Sequence, residues 1–143
     1  GLDDLVIFIG PRSQEELPYY YSASEACVMP SLYESFGMVA LEAMACGTPV
    51  IASRVGGLTF TVRDGETGFL VPEKDPKALA EKLEMVLTDP CLRQRMGHRA
   101  LQVAAGYSWA IVADDIEEVY NELLPTTCGA RAEIREQTLG SGS

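Results

Sequence analysis

The 143-residue sequence predicts an α/β fold, a parallel sheet of about four strands flanked by helices, with a helical C-terminal segment. Three observations predict it. Four short apolar runs, each closed by Gly, Pro or a polar residue, lack the alternation of a half-exposed strand; strands covered on both faces read this way. Helix-forming stretches and turn residues separate the runs, as in a parallel sheet. From Asp75 onward the pattern becomes that of amphipathic helices alone.

Leu5–Ile9 is continuously apolar and ends at Gly10-Pro11, so it reads as a buried strand. Gln14 to Ala23 is expected to be helical, with Pro18 in the first turn, where a missing N–H is tolerated. Ala26–Met29, ended by Pro30, is a second strand. Phe36 to Cys46 is a helix that stops at Gly47 with Pro49 just beyond, both residues that end helices. Pro49–Ser53 is a third strand, and Gly68–Val71, between Asp64-Gly65 and Pro72, a fourth. Asp75-Pro76 and Asp89-Pro90 each join a capping carboxylate to a proline at the first helical position. Leu79, Leu83, Val86 and Leu87 form the apolar face of the first of these helices, and Leu92, Met96 and Leu101 that of the second. Ser108 caps a last helix from Trp109 to about Leu124, with Ile111, Val112, Ile116, Val119, Tyr120 and Leu123 expected inward. The expected organisation is one domain over 1–125 and a polar, flexible tail over 126–143.

The net charge of −10 repels nucleic acid and anionic membranes, so neither is an expected partner. No apolar run approaches the roughly 20 residues that span a bilayer. Gly1 is followed by no charged-then-apolar leader, so no signal peptide is read, and a start inside running sequence suggests a fragment. Cys27, Cys46, Cys91 and Cys128 have no C-x-x-C spacing; Cys27 and Cys46 read as small core residues, and a reducing cytoplasm fits best.

The chemistry gathers at 31–46. The helix over Phe36 to Cys46 is apolar apart from Glu42, and a carboxylate there needs hydrogen-bond partners. Glu42 either serves a ligand or points out to solvent or caps a neighbouring loop. Ser31-Leu-Tyr-Glu-Ser-Phe-Gly37 leads into the helix as a turn of small and polar residues. The first amides of a helix lack internal partners and carry partial positive charge, so a phosphate can dock there even on an acidic protein. Gly37 lets a ligand approach the backbone. Glu34 precedes this amide cluster and Glu42 follows it by nearly two turns: amides for phosphate, carboxylates for hydroxyls.

Glu34 and Glu42, seven residues apart, form an E-x7-E motif. With Tyr33-Glu-Ser-Phe-Gly37, Glu42-Ala-Met-Ala-Cys-Gly-Thr-Pro-Val-Ile-Ala-Ser53, Gly56-Gly57, Asp64-Gly-Glu-Thr-Gly-Phe-Leu-Val-Pro72 and Tyr107-Ser-Trp109, the segment 5–124 resembles glycosyltransferase family four in order and spacing. The resemblance implies the Rossmann-like C-terminal, donor-binding domain of a retaining GT-B glycosyltransferase that takes a nucleoside-diphosphate hexose such as UDP-glucose or GDP-mannose. It gives Glu34 the catalytic position beside the anomeric carbon, where charge develops. It gives Ser35, Phe36, Gly37, Met38 and Val39 the donor sugar and diphosphate, Glu42 the ribose hydroxyls, and Gly10, Pro11 and Arg12 the border of the nucleobase. It implies no metal and no cofactor besides the nucleotide-sugar co-substrate, and no D-x-D triplet occurs in the chain.

The family's basic Arg and Lys, its first βα units and its N-terminal acceptor-binding domain would all precede Gly1. Arg12 and Arg54 could stand in for the basic pair, or be surface arginines. In the doubly wound order of such folds, Leu5–Ile9 would lack neighbours; it re-pairs against Ala26–Met29, or another chain completes the sheet edge by self-association. His98, among Arg93, Arg95 and Arg99, reads as part of a solvated basic face, as Glu117-Glu118 does of an acidic one. Tyr19-Tyr20-Tyr21 reads as one core ring with two exposed, against a stacking platform. The function expected is retaining glycosyl transfer to an acceptor the sequence does not name. The alternative is a non-catalytic nucleotide-sugar-binding module or an inactive truncated remnant.

Overall fold

The strands of this protein form where apolar runs find both a backbone partner and two covering layers. The computed structural model describes residues 4–124. Within them the order is α1 (Leu17–Ala23), β1 (Cys27–Met29), α2 (Met38–Ala45), β2 (Val50–Ser53), α3 (Leu58–Thr61), β3 (Gly68–Val71), α4 (Pro76–Thr88), α5 (Pro90–Ala105) and α6 (Trp109–Leu123). The strands make a parallel sheet in the order β1-β2-β3, with Cys27 opposite Val50 and Val50 opposite Gly68.

Side chains alternate across a strand, and here both faces are buried. Val50 and Ala52 of β2 and Leu70 of β3 enter a core with Ala40, Ala43 and Met44 of α2 and Ala100 and Val103 of α5. Ile51, Phe69 and Val71 enter a second core on the opposite face, with Val86 of α4 and Met96 of α5. Asp75 Oδ1 accepts from the Ala78 amide and Asp89 Oδ1 from the Leu92 amide, each at 2.9 Å, so both expected caps form.

Several boundaries depart from the sequence reading. Leu5–Ile9 is not a strand: it joins no ladder, and Ile7 and Phe8 are 84% and 93% exposed. An apolar run becomes a strand only where a neighbour takes its N–H and C=O groups, and no described strand does so. The sheet therefore has three strands among the described residues, and β1 is an edge. The first helix begins at Leu17 rather than Gln14, because Glu16 turns back to accept from the amide and hydroxyl of Ser13. α2 begins at Met38 rather than Phe36, because Gly37 sits at φ 89°, outside helical space. The helical turn α3 has no sequence signature.

The chain divides into two compact units between Tyr107 and Ser108. In the second, Ser108 caps α6 as expected, Oγ accepting from the Ile111 amide at 3.4 Å. Ile111, Ile116, Val119, Tyr120 and Leu123, read as inward, are exposed, and no residue of α6 is buried. Among its described residues this unit holds one helix, with no second layer of its own to pack against. The tail 126–143 lies outside the described residues.

Candidate functional site

The carboxyl ends of the strands carry three loops: Pro30 to Gly37 after β1, Arg54 to Gly57 after β2, and Pro72 to Asp75 after β3. The second loop holds the first in shape. The Gly57 amide donates to the Glu34 carbonyl at 2.9 Å, and Thr61 Oγ1 of α3 donates to the Phe36 carbonyl at 2.7 Å. A Cβ on Gly57 would sit 2.4 Å from both Phe36 Cα and the Ser35 carbonyl oxygen, so only glycine admits this approach. The turn that carries Glu34 is therefore shaped by residues more than twenty positions downstream.

On this support, Gly37 is buried while Ser35, Phe36, Met38 and Val39 lie exposed around the start of α2. Glu34 is half-buried, and its Oε1 accepts from the Gly37 amide at 3.2 Å. The carboxylate thus holds one amide, that of the residue before α2, beside the cluster it was expected to flank. The Phe36 ring meets the Tyr107 ring edge-on, with centroids 6.2 Å apart. Glu42, also half-buried, reaches α1 instead of solvent: the Tyr21 hydroxyl donates to its Oε2 at 3.0 Å. Burial, that hydrogen bond, and the nearby charges of Glu42, Cys27 and Cys46 push the Tyr21 phenol up to about 12.

Gly10, Pro11 and Arg12 are exposed ahead of α1. Arg12 lies over the Tyr20 ring, 5.6 Å from its centroid, and 3.9 Å from Glu16, rather than on the Glu34–Glu42 turn. Arg54 is committed elsewhere too: its Nη2 lies 2.6 Å from Asp64 Oδ2. Burial raises the Asp64 pKa, but the Leu70 amide, Arg54 and Lys82 outweigh it and hold the carboxyl below its ordinary value. His98 is exposed beside Gln102, away from this edge. Of the three tyrosines, Tyr21 packs on the core and Tyr19 is exposed.

Two other hollows lie on the surface of the described residues. A cleft of about 160 Å³ lies beyond the strand ends, lined by Pro30, Ser53, Val71 and Lys74 among others. It is below the usual size of a ligand pocket, roughly 300 Å³ and up. A shallow hollow of about 440 Å³ along α6 is lined by Asp114, Glu117, Glu118 and Glu122. Four carboxylates there repel an anion. Among the described residues, no group of three or more His, Cys, Asp and Glu side chains gathers in a way that could hold a metal ion, and no helix is long and apolar enough to cross a membrane.

Residues 1–103 match the model of the family described as glycosyl transferases group 1. The chain belongs to that family. The D-inositol 3-phosphate glycosyltransferase of Corynebacterium diphtheriae is 48% identical over 122 residues, 85% of this chain and 29% of the relative. Among solved structures, sucrose-phosphate synthase from Thermosynechococcus elongatus superposes with a TM-score of 0.80 at 47% identity, covering 85% of this chain and 31% of that one. Anabaena HepE in complex with UDP-glucose superposes with a TM-score of 0.78 at 29% identity, covering 86% and 34%. This group 1 chain therefore spans under a third of the length of the curated relatives it matches, and they carry further chain beyond the shared part. The GT-B-type fold and the glycosyltransferase family expected from the motifs are thus both shown.

Sequence reasoning named Glu34, Gly37 and Glu42 but missed their supports: Tyr21, Thr48, whose Oγ1 donates to the Tyr21 carbonyl at 2.6 Å, and Thr61. Tyr19-Tyr20-Tyr21 reads as one core ring and two exposed ones, without assigning the core position to Tyr21. A helix carrying a single carboxylate in an apolar surround asks for a donor on a neighbouring element, and that was the available signal.

Proposed function

We propose that this chain supplies the donor-binding part of a retaining glycosyltransferase that takes a nucleoside-diphosphate hexose. The observation that carries the reading is the start of α2: the exposed residues Ser35, Phe36, Met38 and Val39 around a buried Gly37, with Glu34 and Glu42 on either side. In this reading the amides of Phe36 to Val39 take the sugar hydroxyls and diphosphate, whose charge suits the positive end of a helix. Glu42 accepts from the ribose hydroxyls. Glu34 serves the donor sugar, stabilising charge near the anomeric carbon as an oxocarbenium-like transition state develops. An arriving phosphate competes for the Gly37 amide, which frees the Glu34 carboxylate to turn to the sugar. Gly10, Pro11 and Arg12 border the base, next to Tyr20. No metal takes part. The HepE complexes with UDP and UDP-glucose favour uridine over guanosine.

A second reading has an observation of its own. The matched residues correspond to 29–30% of these relatives, so in this reading they bind the nucleotide sugar and the transfer itself is a property of a longer protein. β1, an edge strand among the described residues, gives a second copy somewhere to pair. The proposed location is the cytoplasm, where the free thiols of Cys27, Cys46 and Cys91 persist. Titration calorimetry with UDP-glucose and GDP-mannose tests the reading: heat with UDP-glucose, reduced in Glu42→Ala and unchanged in Arg95→Ala, is expected. A folded sample that gives no heat with either donor overturns it.

A further inference from the structure

We propose that Tyr21 is a positioning residue for nucleotide recognition: its hydroxyl fixes the Glu42 carboxylate so that one oxygen is held by the protein and the other is presented to a ribose hydroxyl. This rests on the donor-site reading and deepens it. The geometry comes from three contacts. The Tyr21 hydroxyl donates to Glu42 Oε2 at 3.0 Å, the one hydrogen bond to that carboxylate among the described residues. The Tyr21 carbonyl accepts from Thr48 Oγ1 at 2.6 Å, and Thr48 is buried in the turn after α2. The Thr48 amide in turn donates to the Ala43 carbonyl, at 3.0 Å. Tyr21 is therefore gripped at both ends, by α2 through its hydroxyl and by the following turn through its backbone.

The chemistry follows from the numbers of donors and acceptors. An ionised carboxylate accepts about four hydrogen bonds and donates none. With Oε2 taken by Tyr21, Oε1 remains for a ligand donor, and a vicinal diol supplies one. A phenol that stays protonated keeps donating to Oε2 at every physiological pH, so the carboxylate keeps one orientation. Without it, the side chain samples other rotamers and loses the orientation that binding needs. The effect is selective. Only a nucleotide with ribose hydroxyls reports on Glu42, and therefore on Tyr21.

The test uses the whole chain and two probes, UDP and its 2′,3′-dideoxy analogue, by calorimetry. Tyr21→Phe keeps the ring in the core and removes the hydroxyl; its fold is checked by circular dichroism. The expected result is a loss of about threefold to tenfold for UDP, the range of one ordinary hydrogen bond, since the Glu42 carboxylate itself is kept, with no change for the dideoxy analogue. Glu42→Ala gives a larger selective loss, and the double variant is no worse than Glu42→Ala alone. Thr48→Val, which releases the other end of Tyr21, gives a smaller loss of the same selectivity. If Tyr21→Phe binds UDP as the wild type does while Glu42→Ala is selectively impaired, the positioning role is overturned and the donor site stands. The role also falls if Tyr21→Phe weakens both nucleotides alike, since that is a structural effect. If the folded wild type binds neither nucleotide, the donor-site reading falls and this proposal with it.

Discussion

Gly57→Ala isolates how the two loops depend on each other. Gly57 has φ −62°, a conformation open to any residue, so alanine brings no backbone strain. Its entire effect is steric. The new Cβ would stand 2.4 Å from Phe36 Cα and from the Ser35 carbonyl oxygen, and 2.8 Å from the Phe36 carbonyl carbon. All three are backbone atoms, which cannot rotate away, so the turn from Glu34 to Gly37 must retreat until the contact exceeds 3.0 Å. Overpacking of this kind costs about 1–3 kcal/mol. For a unit of this size that lowers Tm by about 4–8 °C for each kcal/mol. The retreat also lengthens the 2.9 Å bond from the Gly57 amide to the Glu34 carbonyl and moves the amide cluster of α2. UDP affinity then falls by about tenfold, the equivalent of one good hydrogen bond to a charged group. Gly65→Ala is the control. Gly65 has φ +78° with open space around it, so alanine there costs about 1–2 kcal/mol of strain and leaves UDP affinity untouched. Thermal melts and calorimetry on both variants decide the matter. A Gly57→Ala protein with wild-type Tm and UDP affinity would refute the buttressing argument.

Three further outcomes are expected. Glu34→Gln removes a charge from the mouth of the amide cluster and weakens the cap on the Gly37 amide, so UDP, which carries no sugar, binds about twofold to fivefold tighter by calorimetry; weaker binding would count against competition for that amide. Asp64 is held below its ordinary pKa, so its contribution to stability is present above the unfolded carboxylate value near 3.9 and is lost as pH falls through the folded value. Asp64→Ala, measured by denaturant unfolding at neutral pH, costs about 1 kcal/mol or less, because the pair with Arg54 is half-exposed and screened, and the gap to wild type closes in acid. Tyr21, raised to about 12, contributes stability that is intact below the unfolded value near 10 and is lost as pH rises through the folded value; absorbance titration shows a late-ionising tyrosine, and Tyr21→Phe removes that step.

Most of the fold was legible because its signals are local. Asp75-Pro76 and Asp89-Pro90 announce α4 and α5, since a short carboxylate and a missing N–H both satisfy the first helical turn. The apolar strands Cys27–Met29, Val50–Ser53 and Gly68–Val71 were read within one residue, because burial on both faces leaves a continuous run. Leu5–Ile9 carries the same signal and is no strand, because pairing is a property of the neighbour. The start of α2 was misread by two residues, because nothing in Phe36-Gly37 shows that Gly37 takes a left-handed conformation against Leu58.

The sequence by itself determined the family and the residues of the candidate site: Glu34, Gly37 and Glu42 sit in one segment, and a motif within one segment is a matter of order and spacing. Only the tertiary structure decided what those residues hold. Glu34 takes the Gly37 amide, Glu42 takes the Tyr21 hydroxyl, and Gly57 and Thr61 brace the turn between them. Gly37 lies in the same turn as Glu34, but Tyr21 lies on α1, Gly57 in the loop after β2 and Thr61 on α3. Hydrogen bonds and steric contacts over such separations depend on how β1, β2 and α1 are brought side by side, which no local pattern encodes.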